Sequence, residues 1–140
     1  MPEINFGSPT VDGLLEVSQN TYEPPSDATQ FQECAENVAI PTGATTTITT
    51  VSAVADKKHY ITSIICSTRA ACGNVGAILI YSSATLIASY QIPNSATPFG
   101  LVISLPIALV GGTNEDITIK VKSDSGGATV GSATLIGYTK

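Results

Sequence analysis

His59 is the only histidine in the chain, and Asp56 stands three residues before it, with many serines elsewhere. A hydrolytic triad would use such a histidine as general base, oriented by a carboxylate and hydrogen-bonded to a serine hydroxyl. Its neighbourhood argues against that use. Lys57 and Lys58 directly precede it at a strand entrance, and no Gly-x-Ser-x-Gly elbow occurs. His59 is expected to be a surface or interface residue. Glycoside hydrolysis needs two carboxylates on rigid elements across a cleft. Beyond residue 40 the acids are Asp56, Glu115, Asp116 and Asp124, all expected in turns. Asn114, Glu115 and Asp116 offer the hard oxygen donors of a Ca²⁺ loop, but the same run suits a solvated turn, which is the expectation. No residue is assigned a catalytic role, and the chain is expected not to be an enzyme.

The other reactive types are equally spare. Cys34, Cys66 and Cys72 form an odd set. Cys66 and Cys72 flank an expected loop and could approach, yet in a reducing compartment small buried thiols are the simpler reading. A zinc site would need further ligands beside the single histidine, so no metal and no cofactor is expected. Gly111-Gly112 and Gly126-Gly127 lack the following Lys-Ser/Thr of a phosphate loop. Hairpin geometry, in which glycine supplies φ > 0, is expected to explain them. Tyr60, Tyr81, Tyr90 and Tyr138 could form a sugar-stacking platform. With no Trp and 6% aromatics, core and interface packing is the expectation. Arg69 is the only arginine and falls in a loop, where ordinary solvation is expected.

The elements that would hold these residues are strands. Beyond residue 40 the chain is rich in Thr, Ser, Ala, Gly, Ile and Val, with β-branched runs divided by turn signals at roughly 8–12-residue spacing. Strands are expected over residues 45–51, 59–66, 75–81, 86–92, 101–110, 116–122 and 128–138, with a short one over 38–40. In residues 116–122, Ile117, Ile119 and Val121 alternate with Thr118, Lys120 and Lys122, which marks one buried and one wet face. Pro106 cannot donate to a ladder, so residues 101–110 must be an edge strand, bend, or divide. Frequent Gly and β-branched residues leave no room for a helix. About eight antiparallel strands in two sheets predict an all-β, jelly-roll-like sandwich.

The first forty residues differ in kind. They contain no Lys or Arg, and they hold seven of the eleven acids: Glu3, Asp12, Glu16, Glu23, Asp27, Glu33 and Glu36. Pro2, Pro9, Pro24 and Pro25 interrupt any regular element. The division expected is an acidic, extended arm over 1–37 and a β-sandwich body over 38–140. Asp27 with Gln30 reads as a helix cap, so a turn or two of helix is expected through Phe31 and Cys34. Ile4, Phe6, Leu14, Leu15, Tyr22 and Phe31 are apolar residues in an otherwise polar arm, and they are the candidate partner-docking residues. Net charge is −5; the arm accounts for −7 and the body, with six basic and four acidic residues, for +2. Neither part is a basic stripe, which argues against nucleic acid as a partner. No apolar run approaches ~18 residues, which argues against a membrane span. The opening Met1-Pro2-Glu3 has no basic or apolar leader, so synthesis in the cytoplasm is expected. Charged residues are 12% of the chain, about half the usual share, so self-association or assembly is expected.

Residues 57–138 carry a resemblance. Lys58-His59-Tyr60-Ile61-Thr62-Ser63-Ile64 leads to Gly76-Ala77-Ile78-Leu79-Ile80-Tyr81. The Pro93/Pro98 loop and Leu105-Pro106-Ile107 precede Gly111-Gly112. Asp116-Ile117-Thr118-Ile119-Lys120-Val121 leads to Ile136-Gly137-Tyr138. This layout resembles the small β-sandwich proteins of tailed bacteriophages: capsid decoration (cement) proteins and head fibres. It covers about 80 of the 140 residues, through strand-pattern motifs rather than a signature. The resemblance implies a homotrimer with an extended N-terminal segment reaching across neighbouring capsid subunits, and no catalytic residues. The implied function is a virion structural protein on the capsid surface, made in the host cytoplasm, with the major capsid protein as partner. The alternative is a tail-fibre or adhesin-type module that binds host surface glycans.

Overall fold

The computed structural model describes residues 25–69, 76–93, 99–123 and 129–140. Eight strands are present: β1 (Thr29–Ile40), β2 (Thr45–Val51), β3 (His59–Thr68), β4 (Ala77–Ser82), β5 (Thr85–Gln91), β6 (Phe99–Val110), β7 (Ile117–Lys122) and β8 (Thr129–Thr139). No helix occurs among the described residues. The strands form two four-stranded sheets, ordered β1-β8-β3-β6 and β2-β7-β4-β5. Every pairing is antiparallel. Successive strands pass from one sheet to the other, except at the β4–β5 hairpin, and this order is the double Greek key of a jelly roll. The expected fold class is what the structure shows.

The core follows from the period of two. Ile61, Ile64, Cys66 and Leu135 point inward from the first sheet, and Ile78, Ile80, Ile117, Ile119 and Val121 from the second; all are fully buried. Ile40 and Ile48 close one flank. Each such side chain contributes about 1.5–3 kcal/mol by leaving water, and their shared β-branching suits the pleat.

Bulges interrupt the alternation. Register shifts fall between Ala35 and Val38 in β1, Thr47 and Thr49 in β2, and Ile61 and Ser63 in β3. The last of these coincides with a longer excursion of β6. Ile61 pairs with Leu109 while Ser63 pairs with Ser104, so residues 105–108 loop out of the ladder. Pro106 lies inside that bulge on an edge strand, where its missing N–H costs no ladder bond.

Three expectations need correction. The helical turn after Asp27 is absent. Ala28 N donates to Pro25 O at 3.0 Å, which makes residues 25–28 a turn, and β1 then runs unbroken from Thr29. The ladder to β8, from Thr29 opposite Thr139 to Ile40 opposite Thr129, outweighs a local cap. Residues 29–37, assigned above to the arm, therefore belong to the first sheet. Gly111 and Gly112 also differ from expectation. Among the described glycines only Gly43 has positive φ, at 76°, in the Pro41–Ala44 turn. Gly111 is required for space, since a Cβ there would lie 2.6 Å from Ile117 Cδ1. Left-handed turn positions are instead held by Asp56, Ser83 and Asn114. Gly126 and Gly127 lie outside the described residues.

Candidate functional site

Strand register sorts the outward side chains of the first sheet into rows. One row runs Gln30, Tyr138, Tyr60, Val110; the next runs Gln32, Ile136, Ser63, Ser104. A third runs Cys34, Thr134, Ile65, Val102, and a fourth includes Ser132, Ser67 and Gly100. None of these side chains is Lys, Arg, Asp or Glu. Charge returns at the rim, with Glu36 and Arg69. Along β6 the apolar residues stand open to solvent: Val102 is 73% exposed, Ile107 82% and Val110 44%, with Ile65 beside them at 39%. Tyr60 and Tyr138 stack at 4.8 Å with planes 4° apart. The result is a broad neutral face, apolar along the β6 edge and hydroxyl- and amide-bearing toward β1.

At the rim the β1 bulge places Asn37 in a left-handed conformation, φ 57°. Asn37 N donates to Ser132 Oγ at 3.2 Å, and Arg69 Nη2 donates to Asn37 Oδ1 at 3.0 Å. Arg69 is thus held in place rather than merely solvated. A groove of about 480 Å³ opens here, lined by Asn37, Ser67, Arg69, Phe99, Val130 and Ser132 among others. A smaller one of about 290 Å³ runs between Cys34, Glu36, Ile65, Ser67 and Thr134.

The residues singled out for chemistry are placed apart and put to structural use. His59 is buried, contrary to its expected surface position. Its Nε2 lies 2.9 Å from Ser52 O and its Nδ1 2.8 Å from Thr139 Oγ1. A carbonyl only accepts, so Nε2 carries the proton. The Phe31 ring meets His59 edge-on at 5.7 Å. His59 thereby fastens the β2–β3 connection to β8, and the lysines flanking it masked this role. Asn114 Oδ1 accepts from Asp56 N, Glu115 Oε2 accepts from Ser82 Oγ, and Ser82 Oγ accepts from Gly112 N at 2.8 Å. These acid and amide side chains brace turns. Among the described residues no group of three or more His, Cys, Asp or Glu is placed to hold a metal ion.

The tyrosines form no common platform. Tyr60 and Tyr138 share the first outer face, Tyr81 receives Lys120 Nζ at 4.7 Å over its ring on the second, and Tyr90 packs on the core. Cys66 is buried and Cys34 exposed on opposite sides of the first sheet; Cys72 lies outside the described residues. So do Ile4, Phe6, Leu14, Leu15 and Tyr22. Phe31 is described, and it packs against the chain's own core.

The residues that sequence reading missed are Val102, Ile107 and Ile65. A signal was present. Residues 101–110 are apolar on both parities while Pro106 marks an edge strand, and an edge strand apolar on both faces needs cover outside as well as inside.

Neither family models nor curated proteins match this chain. Among solved structures it is similar to three capsid particles of infectious bursal disease virus. The VP2 subviral particle gives a TM-score of 0.44 at 15% identity, over 84% of this chain and 37% of that one. The Gt strain gives 0.33 at 14%, over 84% and 41%. The T13 viral particle gives 0.34 at 13%, over 85% and 41%. The chain spans about two fifths of the length of each, and the fold assignment rests on strand order rather than on these scores.

Proposed function

We propose that this chain is a virion structural protein that decorates a tailed-phage capsid and stabilises it by clamping adjacent major capsid subunits. The supporting observation is the neutral, partly apolar outer face of the first sheet, on a jelly-roll body whose reactive side chains brace turns and strands. A body of this kind offers contact area rather than chemistry, and no catalysis or cofactor enters the proposal. The acidic segment ahead of residue 25 is joined through the 25–28 turn to β1, an edge strand of that same sheet. Ordering a segment on a partner costs entropy, which contact over a large surface offsets. Three arms on a homotrimer would reinforce one another through effective concentration. The partners are thus the major capsid protein and further copies of this chain, without nucleic acid or membrane, and the location is the capsid surface after synthesis in the host cytoplasm.

The test is truncation. Removing residues 1–37 would cut away most of β1 and with it Phe31, so the informative deletion is 1–24, which keeps all eight strands. The truncated protein is expected to melt as the full chain does and to fail to sediment with capsids. Full decoration by it would remove the arm from the mechanism.

One observation favours a second reading, the glycan-binding fibre or adhesin module. The groove at Arg69 places a guanidinium, an amide, two serine hydroxyls and the Phe99 ring around one opening, a set suited to a sugar. Glycan-array binding that vanishes in Arg69→Ala would support it, and a blank array would remove it.

A further inference from the structure

We propose that the groove at Arg69 binds the carboxylate of an acidic sugar, such as a uronic or sialic acid. The inference rests on the second reading above, glycan recognition at this groove, and adds to it the charge of the sugar and the residues that select it.

Neighbouring strands build the groove. Ser132 of β8, Ser67 of β3 and Gly100 of β6 form one outward row, in register across the ladders. Arg69 follows β3, and its backbone N donates to Val130 O at 3.0 Å, which ties the root of the side chain to β8. The β1 bulge brings Asn37 in from the far side of β8, where its Oδ1 accepts from Arg69 Nη2 at 3.0 Å. A Cβ at Gly100 would meet nothing within 4 Å, so the row opens into space at its β6 end. The resulting volume, about 480 Å³, falls within the range of small-molecule sites, roughly 300–1,000 Å³.

The hydrogen bonds already made leave donors in excess. Asn37 Oδ1 is occupied by the guanidinium, so the amide has its Nδ2 protons left to offer. Ser132 Oγ accepts from Asn37 N at 3.2 Å, which leaves its own proton to give. A guanidinium is all donor and no acceptor, and the bond to Asn37 engages one of its N–H groups. Among the described residues Lys140 pairs with Asp27, and no carboxylate is paired with Arg69. Glu36 precedes Asn37 but lines the neighbouring groove with Cys34 and Ile65. Excess donors beside an uncompensated positive charge fit an oxyanion, and the planar fork of a guanidinium matches the two oxygens of a carboxylate. The Ser67 and Ser132 hydroxyls suit the hydroxyls of a sugar ring, and Val130 and Phe99 give its C–H face an apolar wall.

Titration of the isotope-labelled full-length chain, followed by NMR at constant ionic strength, tests the site. The probes are glucuronate, N-acetylneuraminate, glucose and acetate. At least one of the two acidic sugars is expected to shift the Asn37 and Arg69 side-chain signals saturably, with about tenfold tighter binding than glucose or acetate. Arg69→Lys keeps the charge and loses the fork, and is expected to weaken that binding by about tenfold. Gly100→Leu places a side chain in open space on the outer face. It is expected to melt as the wild type does while blocking the groove. Glucose bound as tightly as the acids would overturn the inference and leave the glycan reading standing. Acetate bound as tightly would overturn it by reducing the groove to a bare anion site. Binding of no sugar at all would remove the inference and the glycan reading together. Acidic-sugar binding undiminished in both variants would place the site elsewhere and overturn the assignment.

Discussion

The two outer faces of the sandwich enclose one core and are made of different materials. On the second sheet Thr47, Thr50 and Thr118 present hydroxyls, with Thr50 and Thr118 paired at 3.2 Å, and Lys120 lies over Tyr81. In the row of Thr50, Thr118, Tyr81 and Leu86, Thr118 is 7% exposed and Leu86 49%, so this face mixes hydroxyl and ammonium groups with one open apolar side chain. On the first sheet Tyr60, Ile65 and Val102 stand where the second has threonine and lysine. Folding constrains the inward positions of both sheets alike. Outward positions are free of that demand, so their composition reports what each face meets. The difference teaches that the outward rows of the first sheet carry less charge than those of the second, which fits the contact role proposed for it.

Four substitutions would break or sharpen this contrast. The largest effect belongs to Gly137→Val. A Cβ at Gly137 would strike the Tyr60 carbonyl oxygen, which is backbone and cannot swing aside. A loss of about 3 kcal/mol or more is expected, read by thermal unfolding, together with loss of the Tyr60–Tyr138 stack. An unaltered melting temperature would show that the close approach of β3 and β8 is not a constraint on the first face. His59→Leu comes next. It leaves Ser52 O and the Thr139 hydroxyl short of their shared partner, at a cost of about 2–3 kcal/mol. Denaturant unfolding measures it, and a wild-type midpoint would contradict the bracing role.

Phe31→Ala is expected to lower stability by about 2 kcal/mol, because the ring packs on the core and on His59. The competing idea, Phe31 as a docking residue of the arm, predicts unchanged stability with weakened capsid binding. The smallest change is Lys120→Met on the wet face, with about 0.5 kcal/mol lost from the contact with Tyr81 and none from association. Self-association altered by this variant would erase the contrast between the faces.

Much of the fold was legible from residue 45 onward, because β-branched runs and turn residues agreed. The alternation of Ile117, Ile119 and Val121 named the inward face of β7 correctly, although Thr118 on the expected wet face is buried, and Pro106 foretold an edge strand or a bend. β1 was hidden. Its outward positions are Gln30, Gln32 and Cys34, and the bulge at Asn37 breaks its period. The polar run then read as arm, although Phe31, Ala35, Val38 and Ile40 all turn to the core. The neutral face was illegible for a related reason. Bulges in β1, β2 and β3 change parity within a strand, so counting odd and even residues misassigns the face. His59 escaped because its partner Thr139 lies 80 residues away, beyond the reach of any local pattern.

The order β1-β8-β3-β6 has a consequence in time. Only β4 and β5 pair across a short hairpin; the other ladders join distant segments, and Thr29 waits for Thr139. Long loop closures come late and fold slowly. During synthesis, at about 5–20 residues per second, the first sheet has no centre until β8 leaves the ribosome, because β8 separates β1 from β3. The β3–β6 pairs Ile65–Val102 and Tyr60–Val110 can form earlier, but the rows that span the neutral face are complete only then. The complete neutral face therefore appears only on a body whose last strand is in place.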